Sequence, residues 1–571
     1  MSLSTTARNF GLALGAAALM TPVEAQMYDK VIQTSLGPVQ GYQYFTNQTE
    51  LEYYFGVSSS NVANFLGIPF AASTAYQNRW REPQPKEPWN ETLIADTWGA
   101  PCPSAGTAGY SEDCLNLNVW TSANSSSDKL PVIVWNQGSD ETSNNPWWYG
   151  GGMALQHDII VVTFNRRDDA FGYLAHPDLN AEQYALNGHN ASGNWGILDH
   201  KAALEWVQTN IANFGGDPDR VTIMGQSFGS SQVYHAVNSA LFKGLFVGGI
   251  SESGIHYPTN PWVSALATSY VNMSRALVHG INYTTNHNAT TIAELRSESV
   301  SVEDLLVGSQ DRVGTDDEWW VTAVSTSYPL IFKPVLDGYV LPEKYIEQML
   351  QGPANDVPLI TGGTHDENGA SPTNSFTAAY INEVSALKWG NLSEQYFELY
   401  PTGNTTTSAN AQWNLATLDL GSVSQWMYAT NWVTKSNATS PIWTYLWDHA
   451  PPGQDSGAFH QSEIMYVLNA LYANNDDYPF TEYDFYVQSV VSAYWANFVK
   501  TGNPNYGGSY ANTSASLPYW APNAADTYHL FNIGDSFANI SLAGNASYQS
   551  TATSDAKISL IQQYYAQQSP Y

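Results

Sequence analysis

The chain has 571 residues, and its 51 acidic side chains against 20 Lys and Arg give a formal net charge of −31 at pH 7 and a pI near 4.5. Nucleic-acid backbones are held by clustered Lys and Arg that release counterions, so a nucleic-acid binder is excluded, and other polyanionic partners with it. Only 12% of residues are charged while 43% are apolar and 13% aromatic, which excludes a disordered chain and predicts a globular protein with a substantial core.

The first 25 residues read as a secretory signal. Arg8 supplies the positive start, Gly11 to Met20 the apolar run, and Val23 and Ala25 the small residues before a cleavage at Gln26. That run is about half of the ~20 apolar residues a membrane span requires, no other run is long enough, and the carboxyl end is polar. A soluble, secreted protein is therefore expected. Asn-x-Ser/Thr acceptor sites begin at Asn47, Asn90, Asn124, Asn190, Asn272, Asn282, Asn288, Asn391, Asn404, Asn437, Asn512, Asn539 and Asn545, which would lie at the surface if glycosylated. The only two cysteines, Cys102 and Cys114, predict a disulfide in a secreted chain, with two buried thiols as the alternative. Closing so short a loop would contribute on the order of 3 kcal/mol.

Further along, 130–135 (LPVIVW) and 158–164 (DIIVVTF) are short β-branched runs that read as buried parallel strands. From Leu198 to Ile211 the apolar residues Ala203, Leu204, Val207 and Ile211 recur at helical spacing, Gly215 to Pro218 breaks the pattern, and Arg220 to Met224 returns to a strand. Strands alternating with helices predict an α/β fold, a large and mostly parallel central sheet flanked by helices. With no repeat, heptad or low-complexity linker, one catalytic domain over 26–571 is expected.

The strand ending at Met224 runs into Gly225-Gln226-Ser227-Phe228-Gly229, and Ser230 to Val233 can begin a helix. GxSxG between strand and helix places a serine on a tight, strained tip with its hydroxyl exposed. Such a hydroxyl needs a base to take its proton and an acid to orient that base.

Several stretches together resemble the type-B carboxylesterase/lipase family, the cholinesterase-like branch of the α/β-hydrolases. Glu112 to Val119 is similar to its EDCLxLNV signature and 210–217 (NIANFGGD) to its approach to the nucleophile. Pro334 to Gly338 is similar to its P-V-x-D-G, and 494–498 (YWANF) with Gly502-Asn503-Pro504 to its carboxyl-terminal helix and turn. The resemblance implies a catalytic triad of Ser227, Glu367 and His460, with neighbouring Asp366 the rival for the acid. It also implies ion pairs of Arg79 with Glu112 and of Arg167 with Asp199, which hold loops. The aromatic clusters 147–149 and 319–320 are expected in the core rather than lining a gorge. His460 and Glu463 have no second His-carboxylate pair around them, so no metal is expected, and no cofactor is implied.

The oxyanion loop departs from the family. Where members carry an HGGG-like stretch after the strand, this chain has Gln137-Gly138-Ser139-Asp140, and Phe228 stands where a small residue follows the nucleophile. The resemblance places the oxyanion hole at the backbone N–H groups of Ser139, Asp140 and Phe228, with 150–152 (GGG) as a runner-up donor loop. The complete triad points to a secreted serine esterase acting on a small-molecule or lipid ester. The altered loop points to the alternative, a member repurposed for binding or for a non-hydrolytic step. Cholinesterase activity proper is not expected, because the Cys102 to Cys114 loop is short and lacks Trp.

Overall fold

A computed structural model describes residues 25–139, 141–265, 269–313, 329–370, 376–506, 516–525, 529–542 and 554–571. Residues 1–24 of the expected signal, Asp140, Trp319, Trp320, Asn512 and Asn545 lie outside them.

Among the described residues eleven strands form the main sheet: β1 (Tyr42–Gln43), β2 (Ala63–Pro69), β3 (Asn116–Thr121), β4 (Leu130–Asn136), β5 (Ile160–Phe164), β6 (Gly216–Gln226), β7 (Gly248–Glu252), β8 (Leu359–Thr364), β9 (Ile442–Trp447), β10 (His529–Ile533) and β11 (Ala538–Ser541). Their spatial order is β11-β10-β9-β8-β7-β6-β4-β5-β3-β2-β1. From β5 through β4 and β6 to β10 every neighbouring pair is parallel, while β1, β2, β3 and β11 pair antiparallel at the two edges.

The apolar runs become strands because both faces of the sheet are covered. In β4, Val132 and Val134 enter one buried cluster and Ile133 and Trp135 the opposite one. Helix α1 (Trp195–Asn210) packs Ile197, Leu204 and Val207 into the first, and helix α4 (Glu482–Thr501) packs Val487, Val491, Trp495 and Phe498 into the second. Between them in sequence come α2 (Phe228–Asn238) and α3 (Thr406–Thr434). Thr481 and Asp484 form a capping box at the start of α4, and Gly502 ends it in the left-handed conformation.

Two strands start at other residues than the sequence reading predicts. β5 begins at Ile160 rather than 158, because Asp158 closes the preceding helix (Gly151–His157) at φ 50°. β6 begins at Gly216, directly after the left-handed Gly215, since its first residue already pairs with Leu130. The triglycine 150–152 is no donor loop. It opens the helix Gly151–His157, and a Cβ on Gly152 would lie 1.9 Å from the Asn469 carbonyl oxygen, so its glycines answer to close packing.

Cys102 and Cys114 are joined in a disulfide, with Cα atoms 4.9 Å apart. Arg79 binds Glu112 through two hydrogen bonds of 2.7 and 2.9 Å, and Arg167 binds Asp199 through two of 2.8 and 2.7 Å, all four side chains buried. Among the described residues no helix is long and apolar enough to cross a membrane, and no group of three His, Cys, Asp or Glu is placed to hold a metal ion.

Candidate active site

The register of the sheet assembles the site. Asn136, the last residue of β4, pairs with Gly225 of β6, and Gln226 pairs with Glu252 of β7. Glu252 in turn pairs with Gly362 of β8, and Thr364 with Trp447 of β9. The strands therefore release their loops at one level, the carboxyl edge where parallel sheets bind ligands.

Ser227 is the turn between β6 and α2. Its φ of 56° and ψ of −119° lie outside the ordinary L-residue regions, a conformation that costs roughly 1–3 kcal/mol. The donation of its N–H to the Glu252 carbonyl (2.9 Å) holds it there. The motif glycines are required by close approach: a Cβ on Gly229 would lie 1.9 Å from the Asn136 carbonyl oxygen, and one on Gly225 would lie 2.4 Å from that of Gly229. Strand and helix thus meet with no space between, and Ser227 is left half-exposed among buried neighbours.

Glu367 follows β8 and His460 lies on the loop after β9. His460 Nδ1 is 2.5 Å from Glu367 Oε2, while Glu367 Oε1 accepts the Thr364 N–H at 2.9 Å. Burial pushes the Glu367 carboxyl up, but the adjacent His460 outweighs it and the net shift is downward. Burial lowers the His460 pKa, and the charge and hydrogen bond of Glu367 outweigh it and carry it above 6.5. The Gln226 amide nitrogen lies 3.2 Å from His460 Nε2. Asp366, the rival acid, faces away: it accepts from Ala458 N–H (2.9 Å), Asn414 (2.6 Å) and His365 (3.0 Å), and so anchors the histidine loop.

Of the expected oxyanion residues, Ser139 and Phe228 line one small cavity together with Tyr173, Phe332 and Lys333. The Phe228 ring is buried, 5.5 Å from Tyr173 and 5.1 Å below the Arg166 guanidinium. Trp148 is in the core beside Trp135, as expected, whereas half-buried Trp147 packs 6.2 Å from Phe459, next to His460.

Two buried acids lie near the triad: Glu252, which escaped the sequence reading, and Glu463, which was weighed there only as a metal ligand. Glu252 and Glu463 are fully buried, and Trp495 Nε1 donates to Glu252 Oε1 at 2.8 Å. Burial pushes Glu252 up to about 8, and burial with the Glu252 charge pushes Glu463 well above the carboxylate range. An acid closing the short, otherwise uncharged run GGISE was the available signal for Glu252.

A mostly parallel sheet flanked by helices, with a strained serine between strand and helix and a His-Glu pair on later loops of the same edge, defines an α/β-hydrolase of the serine type. The chain belongs to the carboxylesterase family, whose model matches residues 28–551, and is a carboxylic ester hydrolase. It is 31% identical over 470 residues to the para-nitrobenzyl esterase of Bacillus subtilis (strain 168), covering 79% of this chain and 88% of that one. It is 30% identical over 509 residues to carboxylesterase 1D of Rattus norvegicus, covering 80% and 83% respectively. A solved PNB esterase structure matches with a TM-score of 0.69 at 27% identity, over 90% of this chain and 97% of that one.

Proposed function

We propose that the protein is a secreted esterase that hydrolyses small-molecule carboxylic esters through an acyl-enzyme on Ser227. The observation that carries this is the 2.5 Å contact of His460 with Glu367 on the loop level of a strained serine. Glu367 holds the Nδ1 proton, leaving Nε2 to take the proton of Ser227 Oγ as the oxygen attacks the ester carbonyl. The carbonyl electron pair moves to oxygen, where the backbone N–H groups of Ser139 and Phe228 stabilise it. The imidazolium then gives its proton to the departing alcohol, and water repeats the sequence on the acyl-enzyme. The buried Phe228 ring beside the nucleophile favours short acyl groups.

Secretion is supported by the signal-like first 25 residues and the disulfide. Among the described acceptor sites, ten asparagines are exposed and accessible to glycosylation, whereas Asn539 is half-buried with its amide bonded to Tyr519 and Ala521.

The test is turnover of p-nitrophenyl esters from acetate to octanoate by the parent and Ser227→Ala, alongside fluorophosphonate labelling. The parent is expected to label at Ser227 and to lose kcat/KM with acyl length, and Ser227→Ala to lose both labelling and turnover. Equal turnover by the two proteins would overturn the assignment.

A further inference from the structure

The oxyanion loop has one glycine where relatives of this kind are expected to have three, and side chains hold that glycine from both ends. The Gly138 N–H donates to Glu141 Oε2 at 2.8 Å, and the Gly138 carbonyl accepts from Arg166 Nη2 at 3.0 Å. A short turn would explain the first bond alone. It does not explain the second oxygen of the same carboxylate: Glu141 Oε1 accepts from the Gln461 side-chain amide at 3.0 Å, across 320 positions of sequence. Gln461 is the neighbour of His460, and its φ of 83° turns the chain there. A Cβ on Gly138 would lie 2.7 Å from Glu141 Oε2 and 3.2 Å from Gln461 Nε2, so the remaining glycine is the one this link requires. Arg166, itself buried, also binds Asp168 at 3.1 Å and covers the Phe228 ring.

We propose that Glu141 is a positioning residue, tying the oxyanion loop to the histidine loop so that the Ser139 N–H and His460 keep a fixed spacing about Ser227. The proposal rests on the reading of Ser227 as nucleophile. With its own N–H engaged by Glu141, Gly138 does not serve the oxyanion, and its peptide instead sets the direction of the donors that follow. Misplacing a donor or base by about 1 Å costs on the order of a hundredfold in rate, comparable to losing one donor outright.

The experiment is a double-mutant cycle of Glu141→Ala and Gln461→Leu, read by kcat and KM on p-nitrophenyl acetate, by the inhibition constant of a trifluoromethyl ketone, and by amide exchange of 136–143 and 457–463. Each single variant is expected to lower kcat by about 10- to 100-fold with KM within about twofold. The ketone should weaken by the same factor, and the double variant should be no worse than either single one. Glu141→Gln keeps an acceptor for Gly138 and a partner for a rotated Gln461 amide, and should stay within about fivefold of the parent. Losses that multiply, a change confined to KM, or an Ala variant within about threefold of the parent would each overturn the proposal. If Glu141→Ala does not fold, Gln461→Leu carries the test: faster exchange at 136–143 supports the link, and unchanged exchange there removes it. A parent that fails to label at Ser227 would instead overturn the nucleophile assignment, leaving the exchange readout to judge the link by itself.

Discussion

His460 is pulled in two directions, and the outcome sets a measurable pH. Burial favours the neutral ring, while the Glu367 carboxylate, by its charge and its hydrogen bond, favours the imidazolium and prevails. A general base must be neutral to act, so kcat/KM is expected to fall as pH drops through a midpoint above 6.5. Glu367→Gln removes the largest raising influence and should move that midpoint down while lowering kcat. A profile of kcat/KM from pH 5 to 9, with chemistry rate-limiting, checks this, and a parental midpoint at or below 6.5 would contradict it. At this scale the contiguous motif was readable and the distant contacts were not. Ser227 is marked by its flanking glycines, but Asp366 and Glu367 are adjacent carboxylates whose sequence does not say which way either turns. Their difference comes from Ala458 and Asn414, supplied by a later loop and by α3.

At the level of elements, one histidine joins three of them. His449, just past β9, has Nε2 2.9 Å from Asp484 in the first turn of α4 and Nδ1 2.7 Å from Asp535 between β10 and β11. Burial lowers its pKa, but the two carboxylates outweigh this and raise it above 6.5. Because the folded-state pKa is raised, the stabilisation is fully present below the unfolded value near 6.5 and is lost as pH rises through the folded one. His449→Gln should destabilise by about 2 kcal/mol at pH 6, and the gap in Tm from the parent should narrow by pH 9. A gap that is constant or widens would refute the charge-based account. The strands near the site were legible because burial on both faces leaves continuous apolar runs, and the helix because its buried residues recur at helical spacing. Glycine was less informative: it reports a close approach without naming what approaches, so 150–152 looked like a donor loop and proved to be helix packing against Val161, Tyr44 and Asn469.

Across the whole molecule the sheet order brings together residues that no local pattern connects, and therefore the link from Glu141 to Gln461 was invisible in sequence. Charge, by contrast, was readable at once. A net −31 creates a negative potential that concentrates cations at the surface and falls off within a Debye length of about 30 Å at 0.01 M salt and 3 Å at 1 M. The rate of Ser227 labelling by a cationic phosphonate, divided by that for a neutral one, should fall at least about threefold over this range. A constant ratio would show that the field does not reach the nucleophile.

The backbone of Ser227 carries a further consequence for how such a protein can be improved. At φ 56° and ψ −119° a side chain is a burden that glycine does not share, so Ser227→Gly is expected to melt above the parent while losing all esterolysis. Comparison of the two Tm values checks this, and a lower Tm for the variant would show that the serine side chain is itself stabilising. A directed-evolution campaign that screened for heat resistance alone would then favour erasing the nucleophile, and each round would have to be selected for turnover to keep it.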